Sequence, residues 1–251
     1  ANEVQISVHY TGICGTDMQI YHGNMDHRVN FPHIMGHEMS GVIHAVGDQV
    51  DHLQVGDQVV VMPLDSCGQC PACQKGHSHI CHHLKFIGIE TPGSMQTLWT
   101  VPSHTVIKIP ETLSLSHAAL IEPLAVACHD VRLGQVKSGE NVVVIGGGPI
   151  GALIALTAKV HGARVLVSEI NPHRIEQLTK MGVDTIHPIE EDLVKHVDNW
   201  TDRAGCDVVF EVTSSKAGAE IMTQLPRTRG RIVVVGIFNQ AVPVNLHRFF
   251  W

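Results

Sequence analysis

Val-Val-Val-Ile-Gly-Gly-Gly-Pro-Ile-Gly, residues 142–151, joins an unbroken apolar run to a glycine cluster, and that junction decides the fold of the second half of the chain. A short apolar run with glycine and proline directly behind it reads as a buried strand that turns into a helix. Gly146, Gly148 and Gly151 fit G-x-G-x-x-G, with Gly147, Pro149 and Ile150 between them. The first glycine permits a tight turn, the second lets backbone approach a pyrophosphate, and the third lets the helix pack close to the strand. The free N–H groups at the start of that helix would then face phosphate oxygens. The pattern therefore predicts a dinucleotide site that includes Pro149 and Ile150. The same glycines and proline break the apolar stretch 142–158 and argue against a membrane span.

Outward from this junction, the buried-type strands NVVVIG (141–146), RVLVSEI (164–170), CDVVFEVT (206–213) and RIVVVGIF (231–238) alternate with helical patterns over 150–160, 171–181, 191–200 and 216–225. Apolar strands alternating with helices predict a doubly wound parallel sheet covered on both faces. Glu169, 21 residues after Gly148, stands where an acid accepts the ribose hydroxyls of NAD. Its charge would repel a 2′-phosphate, so the reading favours NAD over NADP. Arg174 follows within one turn, within reach of adenine or phosphate.

The first half has a different rhythm. In VQISVHY, Val4, Ile6, Val8 and Tyr10 alternate with polar residues. GVIHAVG (41–47), GDQVVVMP (56–63) and VPSHTVIKIP (101–110) add short strands between turn residues, which predicts a compact β-barrel-like domain. SHAALIEPLAVACHDV (116–131) reads as a linking helix with Ser116 as N-cap. The domain boundary is expected near 134–139, giving domains at 1–135 and 136–251.

Between two of these strands lies CGQCPACQKGHSHIC, residues 67–81. Its spacing, C-x2-C-x2-C-x7-C, lets one loop wrap a tetrahedral zinc with four thiolates, Cys67, Cys70, Cys73 and Cys81. His77, His79, His82 and His83 crowd the same loop, but four thiolates already close such a site. Cys14 in GICGTD and His37-Glu38 in GHE are further zinc-ligand types, and a catalytic zinc keeps one position open. Cys128 and Cys206 sit among apolar residues and are read as small buried side chains.

Length and composition bound the rest. At 251 residues and 44% apolar, the chain has material for two ordinary domains. A net charge of −7 with no basic stripe argues against a nucleic-acid or membrane partner, and hence against a zinc-stabilised nucleic-acid-binding module. No signal segment opens it, so a cytoplasmic location is expected.

The motifs GICGTD (12–17), GHEMSG (36–41), VGDQV (55–59), the four-cysteine loop, IEPLAVACH (121–129) and VVVIGGGPIG, in this order, resemble the zinc-containing medium-chain dehydrogenase/reductase family. The resemblance covers nearly the whole chain and is closest to the sorbitol, butanediol and threonine dehydrogenase branch. It implies a GroES-like β-barrel catalytic domain joined to a Rossmann domain, with the active site in the cleft between them. It implies Cys14 and His37 as catalytic zinc ligands, with Glu38 and Glu122 as alternatives for the third. Thr16 matches the hydroxyl that relays the alcohol proton, Val126 packs behind the nicotinamide, and the stretch Val235 to Ile237 lies along the cofactor. A bound Zn²⁺ lowers the pKa of coordinated water from 15.7 to about 7, and a coordinated alcohol should respond similarly, releasing hydride to NAD near neutral pH.

The expected activity is oxidation of a secondary alcohol or polyol, with an L-threonine 3-dehydrogenase as the alternative. Two departures stand out. Gln19 occupies the place of a proton-relaying histidine, leaving His22 or direct solvent release as substitutes. Glu122 replaces the aspartate frequent in threonine-specific relatives. The resemblance also predicts a chain truncated at both ends, with about five Rossmann strands before RFFW. A catalytically inactive fragment is thus a further alternative, and the full-length protein is expected to form a homo-oligomer.

Overall fold

The computed structural model describes residues 1–250; Trp251, the last residue of the second predicted domain, lies outside the described residues. The chain forms two compact units, Ala1–Glu122 and Pro123 onward. The linking helix, Ile121–Leu133, is expected from the sequence to belong to the first domain. From Pro123 on it groups with the second unit, because Ala127 and Val131 are buried in one apolar cluster with Val142, Val144, Val208 and Phe210.

The first unit carries strands Glu3–Thr11 (β1), Met39–Val46 (β2), Gln58–Val61 (β3), the short pair Leu64–Asp65 (β4) and Lys85–Phe86 (β5), then Leu98–Pro102 (β6) and Val106–Lys108 (β7). Five of them form an antiparallel sheet in the order β6-β1-β2-β3-β7. The alternation read from β1 holds over its first half: Val4 and Ile6 are buried beside Ile43, Val59, Val61, Trp99 and Val101 and Val8 packs against them, but the register shifts between Val8 and Tyr10 and Tyr10 is exposed. The stretch 101–110, expected as one strand, is two strands separated by the 3₁₀ turn Ser103–Thr105. Pro102 has no N–H to continue a ladder, and the Thr105 hydroxyl donates to its carbonyl at 2.8 Å.

The second unit carries Asn141–Ile145 (β8), Arg164–Ser168 (β9), Asp184–Ile186 (β10), Cys206–Glu211 (β11) and Pro226–Val234 (β12), all parallel in the order β10-β9-β8-β11-β12. Alternate residues of the same strands feed opposite faces. Val142, Val144, Val165, Val167, Val208 and Phe210 enter one core; Val143, Ile145, Leu166 and Val209 enter the other. The chain leaves β8 in both directions, so the sheet reverses between β8 and β11, the place where open α/β sheets take ligands.

Several local readings are corrected. The N-cap near 116 is Ser114, whose hydroxyl accepts from the His117 N–H, and the helix it opens ends at Ala118 before a new one starts at Ile121. Pro123 supplies the reason: its ring clashes with the carbonyl four residues back, so the two turns cannot run together. The helix expected over 216–225 stops at Ile221. β10 was not among the strands read from the sequence, since three residues give no periodicity. Cys206 is buried as expected, but Cys128 is exposed, on the outward side of its helix. Among the described residues no helix is long and apolar enough to cross a membrane.

Candidate active site

The four-cysteine loop closes on itself. Cys70 precedes the short helix Pro71–Gln74, which carries Cys73, and the 3₁₀ turn Ser78–Ile80 delivers Cys81. The sulfurs stand 3.5 Å (Cys70–Cys73), 3.8 Å (Cys70–Cys81) and 3.4 Å (Cys67–Cys81) apart. Four thiolates at about 2.3 Å from a tetrahedral zinc stand about 3.8 Å from one another, so the donor set fits the ion. Backbone N–H groups of Cys67, His82 and His83 point at the sulfurs of Cys81, Cys70 and Cys81 at 3.3–3.4 Å. Such donors favour thiolates: those around Cys70, from Cys73 and His82, lower its thiol to about 5. None of the four nearby histidines joins the cluster among the described residues.

A second cluster gathers residues far apart in sequence: one ligand atom each from Cys14, His37 and Glu38, all within 4.8 Å of one another. Cys14 is the N-cap of helix Gly15–Tyr21, and its N–H donates to Asp17 Oδ2 at 2.8 Å. Asp17 Oδ1 accepts from the Gly36 N–H at 3.2 Å and lies 3.8 Å from His37 Nδ1. One buried carboxylate thus ties the cysteine-bearing turn to the histidine-bearing one. Gly36 has φ +98°, and a Cβ there would press on Ser94, Met95 and Thr11, so only glycine fits. At Gly12 a Cβ would occupy the space of the Glu38 carboxylate.

Burial dominates the electrostatics of this cluster and favours the neutral form of each group. Burial pushes the Cys14 thiol up, against the opposing N–H and hydroxyl of Thr16. Burial holds His37 toward its neutral, ligating form, against the pull of Asp17. Its Nδ1 is buried without a hydrogen-bond partner. Burial also raises the Glu38 carboxyl. Glu122 is raised to about 7 by burial and by the charge of Glu38, which puts the two carboxylates in one electrostatic neighbourhood. Glu122 itself is not in the 4.8 Å cluster, so Glu38 is the carboxylate the geometry brings to Cys14 and His37. A partly buried set of Cys, His and carboxylate, with a buried and orphaned imidazole nitrogen, fits a zinc ion. Asp17 was missed in the sequence reading; its place three residues after an N-cap, in GICGTD, was the available signal.

In the second unit the glycine loop opens helix Pro149–Val160 as expected, with Gly148 as N-cap and Pro149 and Ile150 in its first turn. Gly146 adopts φ +104°, and a Cβ on Gly151 would overlap the Gly146 carbonyl, so strand and helix meet as closely as the motif requires. Glu169 lies just past β9. Its Oε2 accepts from the Gly147 N–H at 2.8 Å, and its Oε1 from Ile170 and Asn171 at 2.7 and 2.8 Å. Burial pushes this carboxyl up, but the N–H donors of Asn171, Gly147 and Ile170, with Arg174, outweigh it and hold it below the usual range. Arg174 Nη1 stands 3.6 Å from Glu169 Oε2. Val126 is half-buried. Val235 and Ile237 fall just beyond β12, where Val235 packs on the core and Ile237 is exposed.

Residues 1–111 match the family model described as the alcohol dehydrogenase GroES-like domain, and residues 149–250 match the model described as zinc-binding dehydrogenase. The 2-dehydro-3-deoxy-L-galactonate 5-dehydrogenase of Pseudoalteromonas atlantica is 52% identical over the whole of this chain, which covers 74% of that protein. The L-threonine 3-dehydrogenase of Pyrococcus abyssi is 38% identical over 98% of the chain, or 71% of its own length. Among solved structures, a zinc-binding dehydrogenase of Sinorhizobium meliloti bound to NADP superposes with a TM-score of 0.94 at 30% identity, over 99% of this chain and 74% of that one.

Proposed function

We propose a reaction from one premise: this chain belongs to the zinc-containing alcohol dehydrogenase family, a GroES-like domain followed by a Rossmann domain. Its work is oxidation of a secondary hydroxyl on a polyhydroxylated small molecule, a polyol or sugar acid, with NAD as hydride acceptor. The observation that carries this reading is the convergence of Cys14, His37 and Glu38 within 4.8 Å beside the raised carboxyl of Glu122. When bound, the zinc would supply Lewis acidity toward the substrate hydroxyl, and the dinucleotide would supply hydride-accepting capacity.

The chain's own residues do the rest. Cys14, His37 and Glu38 hold the metal, and Glu122 stands by as an exchangeable carboxylate. Thr16, whose hydroxyl already faces the Cys14 sulfur, relays the substrate proton, accepting it while its own hydroxyl proton passes to His22 or directly to solvent. Gln19 does not titrate, and its Oε1 accepts from Asn24 at 2.7 Å, so the proton leaves by another route. Val126, Val235 and Ile237 provide apolar surface for the nicotinamide. Gly146 to Gly151 take the pyrophosphate, and Glu169 takes the ribose hydroxyls. Selection of NAD follows from Glu169: its carboxylate is buried and kept charged, and a 2′-phosphate would meet it.

The substrate class rests on the 52% identical sugar-acid dehydrogenase. L-Threonine is the second reading, favoured by the relative from Pyrococcus abyssi. NAD reduction is to be followed with 2-dehydro-3-deoxy-L-galactonate, other aldonates, sorbitol, 2,3-butanediol and L-threonine, each repeated with NADP. The highest kcat/KM is expected for a sugar acid with NAD. Preference for L-threonine would move the assignment to the second reading, and preference for NADP would overturn the role of Glu169.

A further inference from the structure

Glu211 is a fully buried carboxylate at the carboxyl end of β11, beside the point where the sheet reverses. No lysine or arginine pairs with it among the described residues. Its two oxygens are engaged by the turn that follows it. Oε1 accepts from the N–H of Thr213 at 2.9 Å and from its hydroxyl; Oε2 accepts from the Ser214 N–H at 3.3 Å. Ser214 sits in the left-handed region at φ +55°, a conformation a serine keeps only when its surroundings impose it. The turn continues as a chain of hydrogen bonds: Ser215 N–H to Thr213 Oγ1 at 3.1 Å, and Gly218 N–H to Ser215 Oγ at 2.9 Å.

Three glycines crowd this network. A Cβ on Gly218 would collide with Glu211 Oε1 and with Thr213 Oγ1, and one on Gly236 would come within 2.7 Å of Glu211 Oε2. The third is Gly146, the first glycine of the phosphate loop, where a Cβ would come within 2.8 Å of Thr213 Cγ2. The Thr213 methyl therefore lies directly against the glycine turn, while the backbone beside it, Val212 N–H to Ile145 O at 2.9 Å, joins the two strand ends. Through its own carbonyl, Glu211 also receives the N–H groups of Val235 and Gly236 at 2.8 and 2.9 Å. One buried residue thus meets three segments at the ligand end of the sheet: its carboxylate holds the turn 213–215 and, through Thr213, borders the glycine turn, while its main-chain carbonyl holds the stretch 235–236.

We infer that Glu211 is a positioning residue for the dinucleotide: it sets the turn that buttresses Gly146, and so sets cofactor affinity without touching the cofactor. The inference rests on the NAD-dependent reading above. Glu211→Gln puts an amide N–H₂ where one carboxylate oxygen accepts, so a donor faces a donor. The turn must shift to relieve that contact and carries the support of Gly146 with it, so NADH affinity, read by fluorescence titration, is expected to weaken about tenfold. KM for NAD should rise while KM for the alcohol and the zinc content stay as in the unaltered chain. Thr213→Val keeps the methyl on Gly146 but removes the hydroxyl donor; Thr213 is exposed, so this variant is expected to fold even if Glu211→Gln does not. It should weaken NADH binding by a smaller factor, and the double variant should lose less than the product of the two single losses, because both act through one unit. NADH affinity unchanged in every folded variant, whatever happens to Tm, would make Glu211 a purely structural residue and overturn the inference. If the unaltered, zinc-loaded chain bound neither NADH nor NADPH, the functional reading itself would fall, and this inference with it.

Discussion

The four-cysteine loop and the Cys14 cluster use overlapping ligand chemistry but are built in opposite ways. All four donors of the loop lie within residues 67–81, and a single short helix and a 3₁₀ turn place them. The other cluster draws on residues 14, 37 and 38, with Glu122 in its electrostatic reach, and needs the helix after β1, the glycine turn at Gly36 and the start of the linking helix to exist first. The loop offers four sulfurs, enough to complete a tetrahedral zinc site; the cluster offers three mixed donors, one short of that number. In the proposed reading, the local, saturated site stabilises the fold and the dispersed one uses the fold to do chemistry.

Removing one ligand from each site is the sharpest way to break that contrast. Cys14→Ala or His37→Ala should lower kcat/KM on the order of a thousandfold, reflecting the several kcal/mol of charge stabilisation a catalytic metal supplies. Elemental analysis should then show one zinc per chain instead of two, with little change in Tm. Cys70→Ser should reverse the pattern, giving a large fall in Tm and loss of the other zinc, because structural zinc binding is folding free energy. Equal Tm losses in the two variants would dissolve the distinction.

Glu169→Gln probes the second unit, and its effect is expected to be smaller. The neutral amide removes the charge that rejects a 2′-phosphate, so the ratio of kcat/KM for NAD over NADP should fall about tenfold, on the scale of one lost charged interaction. An unchanged ratio would place cofactor choice elsewhere.

The mildest effect lies outside both metal clusters. Asp130, on the linking helix, is buried with Oδ2 unpartnered, and burial raises its carboxyl to about 6 from 3.8. The folded chain therefore holds this proton more tightly than the unfolded one. The stability from that preference is fully present below pH 3.8 and is lost as pH rises through about 6. Asp130→Asn should raise Tm by a few degrees at pH 8 and by little near pH 4. A gain independent of pH would rule out ionisation as the cause.

Much of this was legible in the sequence because the signals are local. The glycine spacing 146–151, the apolar strands beside it and the C-x2-C-x2-C-x7-C loop each describe geometry reached within a few residues. What failed were boundaries and exposures set by tertiary packing. The helix over 116–131 broke before Pro123, β10 was too short to show a period, and Cys128 turned outward although its neighbours are apolar.

By itself, the sequence determined two kinds of unit, a glycine-loop sheet and a cysteine-lobed β domain, since both are written in short-range patterns of residue type. Only the tertiary structure decided that Glu38, and not Glu122, shares the cluster with Cys14 and His37, that Asp17 ties their two turns together, and that Glu211 underpins the glycine turn. Each of those facts depends on atoms separated by many residues meeting within a few ångströms in a buried place. There an unpaired charge or donor is costly, and that cost is a property of the fold, not of any segment.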